Sequence, residues 1–266
     1  PYWLGGGFVG PFAADAGLVD MARGAVNSWF ESMSGFTTTG ASLITHNMSP
    51  NCIPGESMDC INSQPKGILL WRSLTQWLGG MGIIMLGMML ISRVMGGGMA
   101  LARAELTGPS LSRLRPKIKE TAFALWKIYI VLTIIEMFCL YLFGGMTIFD
   151  SINHAFTTVS TGGYSTRDAS IGYYDSFIVE LIIIIFMTLG GINFTLIWLI
   201  LMNEYRKAFS DEEFKSYFIY LSTAIMVVTV ALLTSKISLG DSLRDGIFQV
   251  ISIATSTGYS TTDYMN

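Results

Sequence analysis

The sequence predicts an all-α membrane protein assembled from a repeated helical unit. Three observations carry that reading: few charges, long apolar runs, and one Thr-Gly segment that recurs three times. Of 266 residues, 51% are hydrophobic and only 13% are charged, with a mean hydropathy of +0.51. An ordinary soluble domain carries about 25% charged residues. The apolar residues come in runs rather than alternating with polar ones, so lipid is the expected solvent.

Four runs are long enough to cross a bilayer of about 30 Å, which takes about 20 helical residues. They cover Ile68–Ser92, Ala122–Phe143, Ser176–Met202 and Phe214–Leu233. Gly79, Gly80 and Gly82 lie in the first run and Gly190 and Gly191 in the third, where small residues let helix backbones approach closely. Lys and Arg orient the runs. The segments 93–121 and 203–215 hold nine of them, whereas 1–67, 144–175 and 234–266 together hold five against eleven acids. The positive-inside rule puts the two dense segments on the cytoplasmic side. The other three share the outer side with a net charge of −6, and an acidic outer mouth enriches cations locally.

Each outer segment holds a short, half-apolar stretch that ends in a Ser/Thr-Gly turn: Asn27–Gly40, Asp150–Gly162 and Asp245–Gly258. Aligned on Gly40, Gly162 and Gly258, each glycine follows a threonine (Thr39, Thr161, Thr257) and, before that, a hydroxyl residue (Thr38, Ser160, Ser256). Ser42, Ser165 and Ser260 follow shortly, and Asn27, Asp150 and Asp245 are the expected helix caps. Three such half-helices flanked by spans point to re-entrant loops around a central pore. A dehydrated cation needs oxygens in place of its water, and backbone carbonyls supply them without trapping it. Glycine permits the irregular backbone that aims those carbonyls. Such backbone is tolerated at membrane depth only where it lines a cavity, and a helix C-terminus aimed at that cavity favours positive charge.

Other chemistry is thinly represented. His46 and His154 are far apart and there is no Cys/His cluster of metal-ligand spacing. Cys139 reads as a packed core residue. Cys52 and Cys60 flank a polar loop, where a local disulfide and two free thiols are both open. Glu136 and Glu180 are acids inside spans and so functional candidates, but no catalytic partner stands at suitable spacing. They are expected to face the bundle interior and to bond to neighbouring helices. No enzyme activity, cofactor or nucleic-acid partner is expected. The chain opens Pro1-Tyr2-Trp3 with no signal peptide and stops just after the third Thr-Gly turn, and both ends read as cut.

The residues Ser32–Ser42, Leu74–Ile84, Thr121–Tyr129, Ile152–Thr166, Gly190–Phe194 and Ala254–Asp263 resemble the Trk/Ktr/HKT superfamily, most closely its TrkH-type potassium uptake subunits. The resemblance implies four repeats of helix, pore half-helix, filter loop and helix. Residues 1–92 would be repeat one without its first helix, 93–121 a cytoplasmic linker, 122–202 repeat two, 203–213 a second linker, and 214–266 repeat three up to its filter. It implies potassium binding at Thr38, Thr39, Gly40, Ser160, Thr161, Gly162, Ser256, Thr257 and Gly258, with K⁺ as the transported ion. Sodium-preferring members often carry Ser at the first filter glycine, so Gly40 favours K⁺ over a sodium-permeable or sodium-coupled alternative. A homodimer, a cytoplasmic TrkA-like nucleotide-binding regulatory subunit docked on the two basic segments, and a multi-pass place in the cell (inner) membrane are further implications.

Overall fold

The fold is that of a computed structural model, which describes residues 1–10, 17–45, 48–53, 59–83, 114–234 and 238–262. His46, the inner end of the first span (84–92) and residues 93–113 of the basic segment lie outside the described residues. In chain order the helices are α1 (Leu18–Phe36), α2 (66–83), α3 (Leu114–Leu142), α4 (Ile148–Val159), α5 (Phe177–Gly191), α6 (Phe194–Leu201), α7 (Tyr205–Ser210), α8 (Glu212–Thr234) and α9 (Leu239–Ala254). A 3₁₀ turn at Ser170–Tyr174 precedes α5. The described residues contain no strand.

Two of the predicted spans match single helices. Phe123–Leu142 and Glu212–Thr234 are each long and apolar enough to cross a membrane. The third does not: Ser176–Met202 was expected as one helix, but α5 and α6 meet at 101°. The cause is local. Gly190 and Gly191 weaken the helix, Ile192 turns extended (φ −80°, ψ 144°), and the Asn193 side chain accepts from the Thr195 amide as a new N-cap. α3 begins at Leu114, inside the segment read as linker, and α7 lies within 203–213.

α4 packs against α3 and α5 of its own repeat, and α9 packs against α8 of its own repeat and α5 of the one before. The core between them is built on Leu140, Met146, Val179, Ile183, Met187, Leu221, Phe248 and Ile251. A second cluster of Tyr2, Phe8, Ile44 and Ile68 gathers around Cys52 and Cys60. These two cysteines form a disulfide, with Cα atoms 4.9 Å apart. Cys139 is half-buried rather than a core residue.

The caps of the short helices differ from the expected ones. α4 starts at Thr147, whose hydroxyl accepts from the Asp150 amide at 3.1 Å, and α9 at Ser238, which accepts from Asp241 at 3.2 Å. α1 starts after Gly17 and runs through Asn27. Asn27 and Asp245 are therefore interior residues and Asp150 is the third residue of its helix. Hydroxyl–x–x–Asp is the capping-box arrangement, and it outcompetes an acid lying nearer the loop.

Candidate ion path

Three loops leave the C-termini of α1, α4 and α9, and their backbones follow one pattern. The second residue after the helix is left-handed in each: Thr38 (φ 53°), Thr161 (φ 51°) and Ser256 (φ 61°). Two residues later comes a left-handed glycine: Gly40 (φ 77°), Gly163 (φ 76°) and Gly258 (φ 80°). A β-branched residue at positive φ is an outlier and costs of order 1–3 kcal/mol. Two threonines and a serine held there at the same loop position mark a conformation imposed by the surroundings. Hydrogen bonds repeat in step. The amides of Thr38, Thr161 and Ser256 reach back to Gly35, Thr158 and Ile253, and those of Thr39, Gly162 and Thr257 reach Ser34, Thr157 and Ser252.

This pairing moves the register of the second loop by one residue. Gly163, not Gly162, is the counterpart of Gly40 and Gly258. Thr161 matches Thr38 and Ser256, and Gly162 stands where the other loops carry Thr39 and Thr257. The signal was in the sequence: Gly-Tyr-Ser-Thr occurs at 163–166 and at 258–261, and Ser42, Ser165 and Ser260 each fall two residues after the glycine in the corrected register.

The loops touch one another through these glycines. A Cβ on Gly40 would collide with the Gly162 carbonyl oxygen, and one on Gly163 with that of Thr257, whereas Gly258 has open space beside it. Gly40 and Gly163 thus each abut the middle carbonyl of the following loop, from loop one to two and from two to three. Loop two is the most enclosed: Ser160 and Gly162 are buried, while Thr37 and Thr39 in loop one are exposed.

α2 and α5 support this row through paired glycines. A Cβ on Gly79 would strike the Phe36 carbonyl, and one on Gly80 would lie 3.0 Å from Ser160 Cβ. In the next repeat, a Cβ on Gly190 would lie 3.0 Å from the Val159 oxygen and one on Gly191 2.9 Å from Thr255 Cγ2. The Gly-Gly pairs therefore seat α2 between the ends of α1 and α4, and α5 between the ends of α4 and α9, which is the packing role expected of them. Gln76 of α2 pins loop two, its Nε2 donating to the Gly162 carbonyl (2.7 Å) and its Oε1 accepting from the Tyr164 amide (3.1 Å).

Charged residues hold the loops from behind. Glu31 on α1 accepts from Ser42 Oγ (2.8 Å) and the Leu43 amide (3.0 Å). Its partner is Arg72 of α2, with Nε 3.0 Å from Oε1, and Arg72 also donates to Ser42 Oγ and the Ser165 carbonyl. Neither residue was singled out from the sequence. The available signal was an arginine inside an apolar span, where a charge survives only with a partner. On α4, His154 is fully buried, with Nδ1 2.8 Å from the Asp150 carbonyl and Nε2 3.1 Å from Ser165 Oγ. Of the two span acids, Glu180 makes a two-pronged bond to Arg244 of α9 (2.7 and 2.8 Å). Glu136 is fully buried, and neither of its oxygens has a hydrogen-bond partner among the described residues.

Residues 20–266 match the model of the TrkH family, described as a cation transport protein. The Trk system potassium uptake protein TrkH of Halomonas elongata is 41% identical over 239 residues, covering 88% of this chain and 46% of that protein. TrkH of Escherichia coli K12 is 38% identical over the same length, with the same coverage. The crystal structure of the potassium transporter TrkH from Vibrio parahaemolyticus matches 92% of this chain and 47% of its own, with a TM-score of 0.71 and 35% identity. The chain thus spans about half the length of the curated relatives it matches. With the family model covering nearly all of its residues and the same all-helical fold in a solved member, the chain belongs to the TrkH family of cation transport proteins.

Proposed function

We propose that the protein takes up potassium across the cell membrane, and that K⁺ passes along the three Thr-Gly loops. The residues assigned to the path are Thr38, Thr39 and Gly40, Ser160, Thr161 and Gly162, and Ser256, Thr257 and Gly258, joined by Gly163. The observation that carries the reading is the common backbone of the three loops, left-handed at two positions and stacked glycine against carbonyl at the ends of three short helices. Backbone held in this way offers rows of oxygens to a dehydrated cation, with helix C-termini adding partial negative charge behind them. Gly162 has its carbonyl engaged by Gln76. Its part is therefore to leave room for that side chain, while Ser160 and Thr161 provide the oxygens of loop two. The names of the relatives, potassium uptake proteins and a potassium transporter, support K⁺ as the ion.

The reading is of a transporter with no cofactor of its own, for which K⁺ is cargo. Glu180, one of the acids that an intramembrane enzyme would need, is already bound to Arg244. The relatives are named for a Trk system, which supports an assembly of several components; the one proposed is a homodimer that carries a TrkA-like nucleotide-binding regulatory subunit on the basic segments 93–121 and 203–215. The inner membrane is the assigned location. Uptake of K⁺, Rb⁺ and Na⁺ by the full-length protein in lipid vesicles tests the central claim. K⁺ and Rb⁺ uptake well above that of Na⁺ is expected, and equal Na⁺ uptake would replace this reading with a sodium-permeable one.

A further inference from the structure

We infer that Tyr164 and Tyr259 are positioning residues that lock the second and third ion-path loops to the pore helix of the repeat before each. Both follow the left-handed glycine of their own loop, at Gly163 and Gly258. The Tyr164 hydroxyl crosses to repeat one and donates to the Glu31 carbonyl at 3.1 Å, with the Ala41 carbonyl at 3.3 Å. The Tyr259 hydroxyl crosses to repeat two and lies 3.4 Å from the His154 carbonyl, bonded also to Thr157 Oγ1.

Glu31 and His154 are the same position in their repeats, each nine residues before the left-handed glycine. The strut is therefore built twice from equivalent residues, which a chance contact does not explain. Both tyrosines are buried, at 2% and 1% exposure, and each ring is fixed from outside its own loop. Arg72 stacks 4.0 Å from the Tyr164 ring centre, and the His154 ring lies 6.0 Å from that of Tyr259.

The consequence concerns loop spacing. The strut runs from loop two to repeat one, and from loop three to repeat two, while the glycine contacts run the other way, from Gly40 to loop two and from Gly163 to loop three. The two sets oppose each other across the same gaps, so the distance between adjacent loops is held from both directions. A filter distinguishes ions of different size only if that distance does not relax around the smaller one. Loop one carries Ala41 where the others carry tyrosine, so it has no strut of its own and is held by that of Tyr164. The inference rests on reading the loops as the ion path.

The test uses the full-length protein in vesicles, with Tyr164→Phe and Tyr259→Phe removing only the hydroxyl and Gly163→Ala perturbing the loop itself. The Rb⁺-to-Na⁺ uptake ratio is read at matched amounts of folded protein. A fall of about two- to tenfold in each tyrosine variant is expected, the range that one lost hydrogen bond corresponds to. A second readout needs no flux. K⁺ stabilises a protein that binds it, so the excess of the melting temperature in K⁺ over that in Na⁺ should shrink in both variants. A purely structural tyrosine would lower the melting temperature equally in both salts and leave the ratio intact, which overturns the inference. If Gly163→Ala shifts the ratio and neither tyrosine variant does, the strut is refuted while the ion path stands. If no variant shifts it, both are refuted.

Discussion

Arg72 and Glu31 form an ion pair shut off from solvent, with side chains 2% and 0% exposed and Nε 3.0 Å from Oε1. The pair joins α2 to α1, and each partner also holds backbone or hydroxyl groups of a loop. Its geometry meets the condition on which a buried pair persists, that its remaining donors and acceptors are satisfied.

Replacing Arg72 by Met strands the Glu31 carboxylate. We expect a loss of about 3–5 kcal/mol of stability, read as a lowered melting temperature in detergent. Arg72→Lys keeps the charge but not the fork that reaches Ser42 and Ser165, so it should cost less and still reduce the Rb⁺-to-Na⁺ ratio. The double variant Arg72→Met, Glu31→Gln should recover part of the lost stability. If it is no more stable than Arg72→Met alone, the carboxylate is not the source of the penalty.

Gly40→Ser should lower the K⁺ preference over Na⁺. It puts a Cβ against the Gly162 carbonyl and an L side chain at φ 77°, a strain of roughly 1–3 kcal/mol, and about 1.4 kcal/mol is a tenfold change in preference. Gly163→Ser, blocked by the Thr257 carbonyl, should behave alike. Gly35 would not serve as a neutral control, because a Cβ there would collide with Thr75 Oγ1. Gly67 has no atom within 4 Å of such a Cβ, and Gly67→Ser should leave the ratio unchanged. A wild-type ratio in folded, conducting Gly40→Ser protein would remove loop one from the ion path.

The Cys52–Cys60 disulfide should stabilise the protein by about 2–3 kcal/mol, as expected for a short closed loop. It fixes a turn whose Cys60 and Ile61 amides hold the Asp168 carboxylate at 2.6 and 3.0 Å, just after loop two. Mass spectrometry of non-reduced peptides should recover the linked pair. Cys52→Ser and Asp168→Ala should each lower the melting temperature, and combining them should cost less than the sum because they act on one turn. Full additivity would separate the two features.

Residues 205–210 should react with thiol reagents only from the cytoplasmic side when single cysteines are introduced there, and residues 170–174 only from the outside. The basic segments motivate the first expectation and the loops the second. Labelling of 205–210 by an impermeant reagent applied from outside would invert the proposed orientation.

Much of this protein was legible in its sequence because membrane insertion is decided by composition. Runs such as Ala122–Phe143 must be helical in lipid, where every backbone group has to be paired within the segment, and the recurring Thr-Gly turns announce the repeat. The register of loop two was masked there, since only Gly162 satisfies a Thr-Gly template, whereas the Gly-Tyr-Ser-Thr repeat and the hydrogen bonds to Thr157 and Thr158 both select Gly163. The 101° break after Gly191 escaped for a related reason: hydropathy averages over a window, whereas the break depends on one extended residue and the cap at Asn193. The pairing of Arg72 with Glu31, and the reach of Tyr164 and Tyr259 across repeats, join residues 41 to 133 positions apart in the chain. No local periodicity encodes such a contact. It exists because the packed helices bring those side chains to one place, and the cost of leaving a buried polar group unpaired then selects the partner.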